Sequence, residues 1–346
     1  MPYAIDRCPC CGSAALNSRP ALVSRFLASY ALAQAPAICE IDECRDCSLI
    51  FYSLRLSDEE VRRLYCQYRS ETYFVARHKH EFWYTRGYHR RLGGEMEMGP
   101  RRRALHAAIS RHRSINSVDT VLDYGGDGGQ LLSDGPGNRR AVFDLSGAPP
   151  LPGIERVTSE DALANRQFDL VVLANVLEHV AAPTAQLAKL RGLLAPGGVI
   201  FVAVPDERFP LGDLPSGRWY RRYLDVIRRL TPLHIMLDFY ATAVRVKMRR
   251  IPPLGFAKMH EHVNLFSPRA LVTCLELAGF RVLECGGVGE IVAIGEVPTG
   301  ITDISHTGHT AASPASQETT VQTTGQVRSA HVESVRVGLL PTAQSI

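Results

Sequence analysis

Four short runs rich in β-branched and aliphatic residues stand out along the middle of the chain: SVDTVLDYG, RRAVFDLS, FDLVVLANV and GGVIFVAVP. Helical or loop segments separate them, and this β/α alternation predicts a mainly parallel sheet. Before the last run, Leu187, Leu190 and Leu194 recur at helical spacing, and Pro196, Gly197 and Gly198 predict the end of that helix. A second helix is predicted from an N-cap at Ser267, with Pro268 in its first turn, to a C′ glycine at Gly279. RVLECGG and EIVAIGE then read as closing strands, the last of them antiparallel.

The flanks have a different texture. Residues 1–55 carry clustered cysteines with irregular alternation, the pattern of a small module whose core is a metal ion. Residues 56–117 are rich in Arg, His, Tyr and Glu, with Val61, Leu64, Tyr65 and Tyr68 at helical spacing, and read as a helical linker or cap. The α/β unit is placed at 118–299, interrupted at 205–262 by a basic stretch that includes RWYRRYLDVIRRL and VRVKMRR. Residues 300–346 turn to Thr, Ser, Gln and Gly and are expected to be a disordered tail.

Composition narrows the class. Hydrophobic residues make up 45% of the 346 and charged ones 21%, as in a globular protein. A net charge of +4 is too small and too dispersed to make nucleic acid an expected partner. The N-terminus has no basic start followed by an apolar run, and no apolar stretch reaches bilayer length, so a cytoplasmic protein is expected. In that setting nine cysteines read as thiols or metal ligands. Cys8 and Cys11, with Cys44 and Cys47, form two C-x-x-C pairs able to give four thiolates to one tetrahedral zinc ion. The doublet Cys10–Cys11 leaves the second ligand ambiguous on spacing alone. A redox C-x-x-C would need only one pair, in a thioredoxin-like context that is missing.

The densest chemical signal is VLDYGGDGGQLL: a strand, Asp123, then a turn through Gly125, Gly126, Gly128 and Gly129 that leads toward a predicted helix. Glycines let backbone approach a ligand closely, and a helix N-terminus offers free N–H groups to a carboxylate. The dinucleotide pattern G-x-G-x-x-G fails, because Leu131 occupies its third glycine position. The segment resembles instead the first motif of class I S-adenosylmethionine methyltransferases, with Asp127 where that family has its middle glycine. The resemblance covers roughly residues 118 to 295 and implies a Rossmann-like, doubly wound α/β sheet.

It also implies a site. Asp123, Tyr124, Gly125, Gly126 and Gly128 would form the cofactor turn. Asp144, about 20 residues on at the next strand end, would accept the ribose hydroxyls. Asp161 in SEDAL would lie near the adenine amino group, with Glu160 as its competitor. Asn175, leaving FDLVVLANV, would line the methionine end. His262 in HEHVN and then His179 in LEHV are the candidate proton acceptors, either of which could equally brace its loop.

The cysteine module ahead of such a domain is similar to a group of bacterial enzymes that includes sugar C-methyltransferases. The implied activity is methyl transfer from S-adenosylmethionine to a small-molecule acceptor, such as a nucleotide sugar or a glycan or natural-product intermediate. The alternative is a catalytically degenerate cofactor-binding scaffold, its turn spoiled by Asp127. The basic stretch at 205–262 suits a lid over a phosphate-bearing substrate, peripheral contact with an anionic membrane, or a plain helical hairpin with a solvated face.

Overall fold

A computed structural model describes residues 1–298 except Gly93, so the tail expected at 300–346 lies outside the described residues. The first part runs β1 (Tyr3–Ala4), β2 (Leu16–Val23), α1 (Arg25–Tyr30), β3 (Ile38–Cys44), β4 (Ile50–Tyr52) and β5 (Leu54–Arg55). Four helices follow: α2 (Asp58–Tyr65), α3 (Glu71–His80), α4 (Arg86–Arg91) and α5 (Glu95–His112). Ser57 starts α2 through a reciprocal capping box with Glu60, which satisfies two backbone donors at the helix start.

The α/β unit then runs β6 (Thr120–Tyr124), β7 (Arg139–Phe143), β8 (Ile154–Val157), β9 (Phe168–Ala174), α6 (Pro183–Arg191) and β10 (Leu194–Pro205). Next come α7 (Arg218–Arg229), α8 (Thr231–Met248), β11 (Lys258–Met259), β12 (Asn264–Leu265), α9 (Pro268–Leu277), β13 (Arg281–Gly286) and β14 (Glu290–Glu296). Seven strands form one sheet in the order β13-β14-β10-β9-β6-β7-β8. Pairs from β8 to β10 are parallel, whereas β14 pairs antiparallel with both β10 and β13. The order turns back between β6 and β9, the crevice where open α/β sheets bind ligands at strand C-terminal ends.

Alternate residues bury opposite faces. Leu122, Val171, Leu173, Ile200 and Val202 pack with Leu187 and Leu190 of α6 and with Leu271 and Leu275 of α9. Val121, Leu170, Val172 and Phe201 pack on the other side against Leu105 and Ile109 of α5.

Three expectations are corrected. The turn after β6 leads into one 3-10 turn, Gln130–Leu132, and not an α-helix. Ser133-Asp134-Gly135-Pro136-Gly137-Asn138 supplies the reason, because it packs helix breakers into the short span before β7. The helix predicted to continue to Leu194 stops at Gly192, and Leu194 already pairs with Phe168 as the start of β10.

The N-terminal part, third, does not rest on metal alone. Its sheet has the order β11-β2-β3-β4-β12, so one strand from the basic stretch and one just beyond it complete it. Leu22, Phe26, Leu27 and Ile41 share a core with Phe256, Met259 and Leu265. The boundary at residue 55 and the one at 205–262 therefore separate segments that fold together. α7 and α8 form a helical hairpin between them, with Tyr220, Leu224 and Ile227 buried. No helix among the described residues is long and apolar enough to cross a membrane.

Candidate functional site

Asp123 and Tyr124 end β6 at the crevice. The turn beyond them puts Gly125 (φ +79°), Asp127 (φ +55°) and Gly129 (φ +81°) in the left-handed region. A Cβ on Gly125 would collide with the Val176 side chain, so the turn and the loop after β9 close on each other only if that residue is glycine. Asp127 adopts its left-handed backbone at the modest strain Asp tolerates. Its carboxylate is held by Arg69 Nη1 at 2.9 Å and by the Ser146 hydroxyl at 3.3 Å. The unexpected side chain in the turn is thus fully partnered.

Asp144 lies just beyond the end of β7. Its oxygens accept N–H bonds from Asp127 (2.9 Å) and Ser146 (2.7 Å), and each keeps a lone pair for a further donor. Asp123 is the opposite case. It is 1% exposed, and neither carboxylate oxygen has a hydrogen-bond partner. Burial, then the neighbouring Asp144 and Asp127 carboxylates, push its pKa up to about 7. This edge gathers acceptors and negative charge with too few donors. S-adenosylmethionine brings what is missing, an ammonium, a sulfonium and two ribose hydroxyls, so the residues present fit that cofactor. The helix N-terminus expected to receive its carboxylate is absent.

The other predicted residues are placed unevenly. Tyr124 is buried, and its hydroxyl donates to Glu160, which also pairs with Lys189 at 2.6 Å. Asp161 is exposed at the start of the 3-10 turn Asp161–Leu163. Of the two SEDAL carboxylates, only Glu160 touches the cofactor turn. Asn175 has φ +55°, and its amide lies against Glu290 Oε1 (3.1 Å) and Arg101 Nη2 (2.8 Å) in the orientation that satisfies both.

His179 and His262, 83 positions apart in the chain, meet with ring centroids 4.7 Å apart. His179 sits in the 3-10 turn Leu177–His179 that follows β9. Its Nδ1 contacts the Tyr65 hydroxyl at 2.8 Å and the Glu261 carbonyl at 3.0 Å, which leaves Nε2 free. Burial and the charge of His262 lower its pKa to about 4. His262 Nδ1 pairs with Glu207 Oε2 at 2.7 Å. Against burial, which alone would lower it, Glu207 raises the His262 pKa to about 9. An imidazole already holding its proton at neutral pH is a poor first acceptor, so this setting favours His179 over His262 for that role. Glu178 is 1% exposed with neither oxygen partnered.

A polar cavity adjoins this cluster, lined in part by Tyr52, Glu207, Thr242, Arg245, Glu261 and His262. The cations on its wall are matched internally: Arg77 with Glu81 (2.9 Å), Lys258 with Glu81 (2.9 Å), and Arg245 with Glu207 (3.9 Å). Sequence reasoning missed Tyr65, Glu207 and the role of Glu178. Glu207 had a readable signal, an acidic residue two positions beyond the end of a strand.

The four cysteines converge in the N-terminal part. Cys8 and Cys47 sulfurs lie 3.5 Å apart, as do those of Cys11 and Cys44, and all four lie within 4.8 Å of one another. Cys10 Sγ contacts the Ala270 carbonyl at 3.5 Å, and Cys11 is the member of the doublet that groups with the other three sulfurs. The four sulfurs fit a thiolate-bound metal of zinc size.

A family model described as a methyltransferase domain matches residues 97–285, more than half of the chain. The chain belongs to that methyltransferase domain family. Among solved structures it is similar to a Nostoc punctiforme protein described as an O-methyltransferase, at 15% identity over 58% of this chain and 56% of that one, TM-score 0.36. It is similar to the N-methyltransferase NodS of Bradyrhizobium japonicum in complex with S-adenosyl-L-homocysteine, at 14% identity over 57% and 87%, TM-score 0.30. Human N-acetylserotonin methyltransferase in complex with its cofactor aligns at 17% identity over 65% and 59%, TM-score 0.33. The chain thus spans little more than half the length of the Nostoc and human proteins. A search of curated proteins finds no match.

Proposed function

We propose that the enzyme methylates a hydroxyl-bearing small molecule that enters the polar cavity beside His179 and His262, and that Cys8, Cys11, Cys44 and Cys47 hold a structural zinc ion. The cavity wall carries the acceptor reading. Its cations are already neutralised by carboxylates and its volume is about 50 Å³, so it suits the hydroxyl-bearing end of a neutral polyol or sugar better than a phosphate buried there. The phosphate of a nucleotide sugar would be met outside, by arginines of α7 such as Arg218 and Arg222. The location is cytoplasmic, where the four cysteines stay reduced and able to bind metal.

The cofactor supplies an already activated methyl group. Asp144 binds the ribose, Asp123 meets donors at the turn, and Glu160 takes the place near the adenine first considered for Asp161. The backbone at Gly125, Gly126 and Gly128 lets the cofactor approach, and Asn175 borders the methionine end. What remains is to align the acceptor and draw off its proton, and the paired histidines are placed for that. His179 leads because Nε2 faces no partner, while His262 holds Glu207.

Turnover tests this. With a sugar or other hydroxylated acceptor panel, His179→Ala is expected to lower methyl transfer by roughly 10²-fold or more while cofactor affinity stays near wild type. Full turnover in a folded variant would assign His179 to packing and remove the acceptor from this cavity. Measurable cofactor binding with no turnover on any acceptor would favour the scaffold alternative.

A further inference from the structure

We propose that Glu178, His179 and His262 form a binding site for a first-row divalent cation, through which the histidine pair acts on the acceptor. The inference deepens the methyl-transfer reading and rests on it for that role alone; the binding site itself stands on geometry.

One ligand atom from each of the three residues lies within 4.8 Å of the others. Glu178 is 1% exposed, yet both its oxygens lack a hydrogen-bond partner, a costly arrangement for a buried carboxylate without a cation or donor. His179 Nε2 lies 3.9 Å from Glu178 Oε1, too far for a hydrogen bond and a suitable span for two ligands of one ion.

The outward nitrogens carry the further argument. A metal-binding histidine typically gives its other ring nitrogen to a carboxylate or a carbonyl, which fixes the tautomer and aims the lone pair. Both histidines here are arranged that way. His262 Nδ1 is on Glu207 at 2.7 Å, and His179 Nδ1 is 3.0 Å from the Glu261 carbonyl, so each Nε2 faces the ligand side, and binding of the ion would displace the proton from His262. The backbone supports the set, since Val263 N–H donates to the Glu178 carbonyl at 2.8 Å and ties the two ligand loops together.

Two imidazoles and one carboxylate suit zinc, manganese, iron(II) or cobalt(II) better than magnesium or calcium, which prefer all-oxygen shells. Three protein ligands leave coordination positions open, and His262 and Glu207 put them beside the polar cavity. An acceptor hydroxyl bound there would have its pKa lowered and would pass its proton to water in the cavity, so with the ion in place the histidines would act as ligands and not as the proton acceptor.

The test is a titration of the zinc-loaded full chain with Co²⁺, read by visible absorption, with cofactor binding measured in the same samples. The expected result is one equivalent of cobalt with d–d bands and no sulfur-to-cobalt charge-transfer band, which separates this site from the cysteines. Glu178→Gln is expected to weaken cobalt binding at least about tenfold, and Glu207→Gln by about 10- to 100-fold, with cofactor affinity retained in both. No cobalt binding to folded wild-type protein, binding only with a charge-transfer band, or unchanged binding in Glu178→Gln would each overturn the site. Cobalt bound as expected by a protein without cofactor affinity would sink the methyl-transfer reading and leave the metal site standing.

Discussion

Replacing Cys44 and Cys47 by serine is expected to release one zinc equivalent and to unfold the two cysteine loops while the sheet they adjoin persists. Structural zinc in small finger peptides contributes roughly 10–16 kcal/mol, more than a typical domain's whole stability of about 5–15 kcal/mol. In a knuckle with no other core that loss would be total. Here Leu22, Phe26 and Ile41 pack with Phe256, Met259 and Leu265 in a core that contains none of the four ligands. Cys8, Cys44 and Cys47 belong to a different cluster, against Ala270 and Cys274 of α9. Hydrogen exchange should therefore show protection lost from Cys8 to Gly12 and from Cys44 to Leu49, and kept at Leu22 and Ile41. Loss of protection throughout β2, β3 and β4 would mean that the metal alone holds this part. A wild-type protein without metal, its cysteine loops still protected under reducing conditions, would remove zinc from the account.

The second large effect has the opposite sign. Asp123→Asn is expected to stabilise the cofactor-free protein at pH 8 and to leave it unchanged at pH 4. The folded pKa of Asp123 is raised to about 7, above the value near 3.9 of an unfolded Asp. The folded state therefore holds the proton longer, and wild-type stability falls as pH rises from about 4 to about 7. Three pK units correspond to about 4 kcal/mol at most, and the asparagine variant escapes that loss. Urea melts at the two pH values measure it. Equal stability of variant and wild type at pH 8 would show that the buried carboxylate finds partners in the free protein. The gain should disappear when the cofactor is bound, because its donors then meet the carboxylate.

Much of the fold was readable because its determinants are local. β9 and β10 announce themselves as apolar runs, and α9 has Ser267 accepting from Ala270 N–H at 2.9 Å and Gly279 at φ +87° where its ends were expected. The missing helix after Gly129 was also written locally, in Ser133-Asp134-Gly135-Pro136-Gly137-Asn138. The completion of the N-terminal sheet by Lys258–Met259 and Asn264–Leu265 could not be read, since two-residue strands have no period and their partners lie some 200 positions away. The site divides in the same way. The two C-x-x-C pairs are visible in the spacing, apart from the choice between Cys10 and Cys11, and Asp123 and Asp144 are singled out by the family resemblance. The free carboxylate of Glu178 and the ion pair of His262 with Glu207 are products of tertiary burial, so no pattern along the chain marks them.

The edge formed by β6 and β7 is expected to hold S-adenosylmethionine through Asp144. Calorimetric titration of purified wild-type protein and Asp144→Ala measures it. Wild type is expected to bind one cofactor per chain. The variant should lose the charge-assisted bonds to the ribose, roughly 1.5–3 kcal/mol, or about 10- to 150-fold in affinity. Equal affinity in a folded Asp144→Ala variant, or no binding by folded wild-type protein, would contradict it.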